Sequence, residues 1–205
     1  MIAALIEGLL DALAPPTCSA CDVVLPPGER GFCVACASLL EPAVGAPRAA
    51  FLYGGPLADA IRRFKYGGRS DLAPVLAELG LPAALELSGR FDAVVPVPLH
   101  PRRERERGFN QASLIARAWA SALGVPVRPR ALRRVRDTPA QASLEVGRRA
   151  GNVRGAFRVD ADIAGRVLLV DDVRTTGATL AECASALLVG GASRVHPLVL
   201  ARVET

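Results

Sequence analysis

Only one of the 25 basic residues is a lysine, Lys65. The basic surface is therefore built from guanidinium groups, whose planar forks suit bidentate contact with oxyanions. Against that background Lys65 reads in two ways: a compact charge on a flexible stem, or a cation at a helix C-terminus complementing the dipole. Aromatic residues make up only 4% of the chain, so the core must come from Ala, Leu and Val. That scarcity argues against a nucleic-acid surface built on rows of base-stacking rings. There are two histidines, His100 and His196, and neither has a companion. No Ser–His–Asp or Cys–His arrangement is present, and both histidines read as structural. No apolar run approaches the length of a membrane span, so no stable membrane insertion is expected. The N-terminus does not read as a secretion signal, because its first arginine is Arg30 and Glu7 and Asp11 interrupt its apolar residues.

What is present is an apolar fraction of 51% in 205 residues, enough for one full domain with a small appendage. The net charge of +5 suits anionic partners, polyphosphate or nucleic acid, without choosing between them. Residues 1–14 carry a helical stripe of Ile2, Leu5, Ile6, Leu9, Leu10 and Leu13, ended by Pro15-Pro16. Residues 15–42 hold Cys18-Ser-Ala-Cys21 and Cys33-Val-Ala-Cys36. Two CxxC pairs separated by a Pro/Gly-containing turn can bring four thiolates around a structural Zn²⁺. Two disulfides, four unrelated buried cysteines or a redox CxxC are the alternatives. The metal-like pattern argues for a reducing, cytoplasmic setting. Residues 43–50 read as a linker, and residues 51–205 as the main domain.

The most informative stretch is Arg166 to Leu180, RVLLVDDVRTTGATL. Val167 to Val170 form a buried strand. Asp171 and Asp172 follow, then Thr175, Thr176, Gly177 and Thr179. Leu180, Cys183, Ala184, Leu187 and Leu188 then trace one helical face, with Cys183 in the core. A strand–turn–helix of this kind puts free backbone N–H groups and a positive helix end together, which suits phosphate. The acidic pair makes sense if the ligand also carries hydroxyls or a divalent cation, as a sugar phosphate does. An ordinary capped junction, with Asp172 or Thr176 as N-cap, is the plainer reading.

Elsewhere the pattern predicts a helix with Leu57, Ala60, Ile61 and Phe64 on one face, ending at Lys65-Tyr66-Gly67-Gly68. A second helix over 71–88 has Asp71 as N-cap and Gly80 and Pro82 as breaks or kinks. The strand Phe91–Pro98 should stop pairing near Val95, because proline cannot donate to a ladder. An Arg-rich loop, 98–108, follows, whose alternating charges could equally be a solvated turn. Next comes a helix with Ile115, Ala118, Trp119, Ala122 and Leu123 inward. Residues 125–136 read as a half-buried strand with a basic edge, 143–152 as a surface helix, and 193–201 as a final strand. Alternating strands and helices predict an α/β domain with a mainly parallel sheet flanked by helices. Ligands in such sheets sit at the carboxyl ends of strands, so the loops 98–108 and 171–179 are expected to meet on one edge.

VLLVDDVRTTGAT resembles the phosphoribosyl-pyrophosphate (PRPP) motif of the type I phosphoribosyltransferases. PVPLHPRRERERGFNQA, the FKYGG element, the four cysteines and Thr138-Pro-Ala-Gln141 with the residues after it resemble the ComF (competence protein F-like) branch, over roughly residues 18–201. The resemblance implies that Asp171 and Asp172 act at the ribose hydroxyls and help bind Mg²⁺. It implies that Val173, Arg174, Thr175, Thr176, Gly177, Ala178 and Thr179 complete the PRPP site. Pro98, Leu99, His100, Arg102, Arg103, Arg105 and Arg107, with Lys65, would meet pyrophosphate. Residues 137–154 would be a flap closing over the ligand. The implied reaction displaces pyrophosphate from PRPP by a nitrogen acceptor the sequence does not identify. The implied setting is natural transformation, with single-stranded DNA and competence proteins as partners.

Overall fold

The computed structural model describes residues 11, 13–45, 48–137 and 153–204. Most of the expected helix 1–14, and all of the expected helix 143–152, lie outside them. The elements in chain order are α1 (Val34–Ala37), β1 (Ala49–Leu52), α2 (Gly55–Tyr66), α3 (Ala73–Leu85), β2 (Ala93–Pro96), α4 (Pro101–Arg107) and α5 (Gln111–Leu123). Then come β3 (Leu132–Arg134), β4 (Phe157–Val159), β5 (Gly165–Arg174), α6 (Ala178–Val189) and β6 (Ala192–Arg202).

Four strands form one parallel sheet in the order β1-β6-β5-β2. The other two, β3 and β4, pair antiparallel as a separate ribbon. Strand residues alternate faces with a period of two, and the core divides accordingly. Val94, Leu168, Val170, Leu198 and Leu200 pack with α2, α3 and α5 around Trp119 and Phe64. Val95, Val167, Leu169 and Val199 pack on the other face with α6 and the ribbon, around Leu180, Leu187 and Phe157.

Several sequence expectations need correction. The strand at Ala49 begins inside the stretch read as a linker, and the Ala43 and Leu52 N–H groups donate to the Ala50 and Glu41 carbonyls. Pairing of β2 does not stop at Val95: Pro96 lies opposite Val170, and the Val97 N–H reaches the Val170 carbonyl at 2.8 Å. The ladder survives because β2 is the edge of the four-stranded sheet and Pro96, like Val94, turns its nitrogen away from β5. On that outer side only an isolated bridge to Val127 forms, and residues 125–136 contribute just the short strand β3. The inward face of α5 is Ala112, Ile115, Ala116, Trp119 and Ala120, whereas Ala118 and Ala122 are exposed.

The helix α3 runs through both Gly80 and Pro82 instead of breaking there, and Asp71 holds Arg69 rather than capping it. Gly80 is explained by packing. A Cβ at this position would lie 2.4 Å from Trp119 Cζ2 and 3.2 Å from Leu200 Cδ1. The indole cannot retreat easily, because Trp119 Nε1 donates to the Ala77 carbonyl at 2.8 Å. Gly80→Ala should therefore destabilise the fold by about 1–3 kcal/mol through overpacking. Helix propensity alone would give the opposite sign. Urea denaturation of the two proteins checks which term wins.

Candidate functional site

Strand β5 does not end at Val170. It continues through Asp171 and Asp172 to Arg174, opposite Arg202, because β6 is long enough to pair with it throughout. The acids are therefore strand residues, and the period of two sends them to opposite faces. Asp172 continues the Leu168–Val170 row toward α2, where its Oδ1 meets Lys65 Nζ at 2.9 Å. Asp171 continues the Val167–Leu169 row toward α6 and the ribbon, where Cys183 and Arg134 lie within electrostatic reach.

This splitting governs the charges. Burial raises the Asp171 carboxyl most, and the adjacent Asp172 raises it further, to about 7 despite the pull of Lys65 and Arg134. Burial pulls the Lys65 amine down, but Asp172 and Asp171 outweigh it and hold the ammonium above its ordinary range. Burial, and then the nearby Arg103, depress Arg134, whose guanidinium also lies over an aromatic face, 5.5 Å from the Phe157 ring centre.

After β5 the chain turns at Gly177, which takes φ +81° and opens α6. Thr176 Oγ1 accepts from the Ala178 N–H at 3.4 Å, and Thr175 and Thr179 line the space above the acids. The neighbouring strand supplies the opposite wall. The Val97–Val170 hydrogen bond holds the end of β2 beside the acids, so Pro98 and Leu99 enter the same space.

The Arg-rich stretch is not a loop after residue 100. Residues 101–107 form α4, with His100 accepting the Arg102 N–H at 3.4 Å as its cap, Pro101 in its first turn and Gly108 left-handed at its end. A helix distributes the arginines. Arg103 and Arg107 face the cleft. Arg102 instead pairs with Asp137 at 2.5 Å, and Arg105 is exposed. Neither of those two, nor His100, Arg174, Thr176, Gly177 or Ala178, lines the cleft.

The result is a cleft of about 190 Å³ at the carboxyl ends of β2 and β5. Its walls carry four cations, Lys65, Arg103, Arg107 and Arg134, against the carboxylates Asp171 and Asp172. The surplus suits an anion with more than one negative charge.

The four cysteines also come together. The sulfurs of Cys18, Cys21, Cys33 and Cys36 all lie within 4.8 Å of one another, a donor set that can hold a metal ion such as zinc. A bridge between Thr17 and Val24 closes the first CxxC turn, and α1 carries Cys36 in the second. Burial pushes the Cys18 thiol up, but backbone N–H groups of Cys21, Cys33 and Ala20 outweigh it and bring it to about 6. Burial and the neighbouring sulfurs push Cys36 well up. Among the described residues, no helix is long and apolar enough to cross a membrane.

Known proteins resemble this chain over most of its length. The DNA utilization protein YhgH of Salmonella typhi is 37% identical over 156 residues, covering 73% of this chain and 69% of that protein. Competence protein F of Haemophilus influenzae is 33% identical over 159 residues, with the same two shares, 73% and 69%. The chain belongs to the ComF family. Competence protein ComFC of Streptococcus pneumoniae is a further relative of this ComF-family chain, 31% identical over 157 residues and covering 76% and 67%. No family model matches the sequence. Among solved structures, the allosteric regulatory enzyme of purine biosynthesis overlaps loosely, with a TM-score of 0.47 and 24% identity over 67% of this chain and 29% of that one.

Sequence reasoning missed part of the ComF-family cleft. Tyr66, Asn110, Gln111 and Arg134 also line it. Asn110 caps α5 by accepting from the Ser113 N–H at 3.3 Å, while its Nδ2 donates to the Val97 carbonyl at 3.1 Å. Gln111 accepts from Arg107 at 2.6 Å, and its Nε2 is a buried donor with no protein partner among the described residues. The GFNQA run held the signal, a cap residue followed by an amide inside the first turn. Arg134 gave no signal, since it is one of many arginines in residues 125–136.

Proposed function

We propose that the cleft binds PRPP with Mg²⁺ and transfers its phosphoribosyl group to a nitrogen acceptor, releasing pyrophosphate. The observation that carries this reading is the meeting of the 98–108 and 171–179 segments at the paired ends of β2 and β5. Thr175 and Thr179, with the N-terminal N–H groups of α6, would hold the 5-phosphate. Asp171 and Asp172 would accept hydrogen bonds from the ribose hydroxyls, and their hard oxygens suit Mg²⁺. That ion, when bound, would neutralise part of the pyrophosphate charge. Arg103, Arg107 and Lys65 would meet the pyrophosphate, and the unpartnered Gln111 Nε2 would find an acceptor on the ligand. In the reaction a nitrogen lone pair bonds to the anomeric carbon as its bond to oxygen breaks, and pyrophosphate leaves with that electron pair. The protein contributes position and fixed charge. The four-cysteine knuckle would hold a structural Zn²⁺.

A second reading has its own support in the names of the relatives, which refer to competence and DNA utilization. In it the chain is a PRPP-binding accessory of natural transformation, contacting single-stranded DNA or DNA-uptake proteins, with slow turnover or none. Both readings need PRPP to bind.

Thermal unfolding tests that shared requirement. PRPP with Mg²⁺ at about 100 times its dissociation constant should stabilise the fold by about 2.7 kcal/mol. PRPP that leaves the wild-type transition unmoved over a wide concentration range would defeat both readings. Mixing with single-stranded oligonucleotides at rising salt separates them, since phosphate contacts weaken steeply with ionic strength.

A further inference from the structure

The last turn of α2 faces two ways. Lys65 reaches inward to Asp172. Arg63, two residues earlier and so about 200° around the helix, reaches outward to an ion pair with Asp22. Asp22 directly follows Cys21, and it is the only non-glycine residue with positive φ, +61°, among those described. Aspartate tolerates this backbone better than most side chains, and its surroundings hold it there. Here the surroundings are the first CxxC turn, where the Cys18 N–H bonds to Val23 and the Asp22 N–H bonds to Cys18.

The turn that carries Lys65 needs such an anchor. Gly67 and Gly68, the latter at φ +68°, separate it from the 3₁₀ turn Ser70–Leu72 that leads into α3, so its end is joined to the next rigid element through two flexible residues. Its other side-chain supports include Phe64, fully buried in the core and in ring contact with Phe109 at 5.3 Å, and Arg107 over Tyr66 at 5.1 Å, the ring and cation contacts both coming from the α4–α5 side. Arg63 supplies the hold from the knuckle side. The knuckle in turn leans on α3, where a Cβ at Gly31 would lie 3.3 Å from Val75.

We propose that Arg63 is a positioning residue that ties the metal-bound knuckle to the cleft, so that the four-cysteine site sets how Lys65 is held on Asp172. The proposal rests on reading the cleft as a PRPP site. Metal and cleft ligand then favour the same arrangement of the α2 end, and each raises the affinity of the other by the same factor.

The test uses the full zinc-loaded chain and a chromophoric chelator, with zinc release as the readout. With Mg²⁺ and PRPP present, half-release should need about five to ten times more chelator, a coupling at the low end of the usual range. Arg63→Met and Asp22→Asn should still bind one zinc but show no such protection. Asn tolerates the left-handed backbone at position 22. A second readout needs no PRPP: amide hydrogen exchange at residues 63–67 should speed up about threefold or more in zinc-loaded Arg63→Met, in line with loss of a surface ion pair. PRPP binding to the wild type without protecting its zinc would overturn the proposal. So would equal protection in Arg63→Met, or unchanged exchange at 63–67 in that variant. Failure of PRPP to bind the wild type at all would instead defeat the reading of the cleft.

Discussion

Metal analysis of the chain purified without added zinc should return about one Zn²⁺ per molecule, and chelation should cost the N-terminal module its fold. The reason is the size of what holds that module together. Its buried apolar cluster is Cys18, Ala20 and Leu25, with only Phe32, Cys33 and Cys36 packed around it. A cluster of that size cannot offset the entropy of ordering some 25 residues at about 1–2 kcal/mol each. Four thiolates around a metal tip that balance, since the apparent binding free energy of structural zinc, on the order of 10 kcal/mol, acts as net folding free energy. Cys18→Ser should have the largest effect of the single changes, because its sulfur is fully buried and accepts the Cys33 N–H at 3.4 Å. Limited proteolysis should then cut within residues 17–41 and spare the sheet domain. A metal-free chain resistant to cleavage there would contradict the assignment.

Asp171→Asn should make the unliganded protein more stable while removing its capacity for PRPP. Burial and the neighbouring Asp172 raise the Asp171 carboxyl from 3.8 to about 7. The folded state therefore keeps a proton that the unfolded chain releases near pH 4. Stability from this group is fully present below pH 4 and is lost as pH rises toward 7. Above pH 7 the wild type carries the full penalty, on the order of 2–4 kcal/mol. Asparagine carries none of it. The melting temperature of Asp171→Asn should thus exceed that of the wild type by roughly 5 °C or more at pH 8, and the gap should shrink toward pH 5. Paired melting curves across that range check the sign and the slope.

Much of this site is legible in the residues. The run from Val167 to Thr179 announces a strand, an acid pair and a hydroxyl-rich helix start. The cysteine spacing announces the cluster. Leu57, Ala60, Ile61 and Phe64 sit on the buried face of α2 as their spacing predicts. The split of Asp171 from Asp172 was implicit in the strand period, but only if β5 is known to run past Val170, and that depends on β6. The helix α4 was hidden by its charges, although Pro101, the His100 cap and Gly108 mark its ends. In α5 alanines lie on every side, so the apolar face could not be chosen from composition. Leu188, at the end of α6, reads as core but is 49% exposed, because the buried face runs through Leu180, Cys183 and Leu187, and Leu188 lies about 100° further round the helix. The partner of Lys65 was not legible at all, since residues 65 and 172 are joined only by the fold.

The central claim is that the cleft between the ends of β2 and β5 is a PRPP site. Calorimetric titration of the zinc-loaded chain with PRPP in the presence of Mg²⁺ tests it most directly. The account predicts saturable binding at one site per chain, lost in Asp172→Asn and strongly weakened in Arg107→Met. No heat of binding to a folded wild type, or binding that both variants retain, would contradict it.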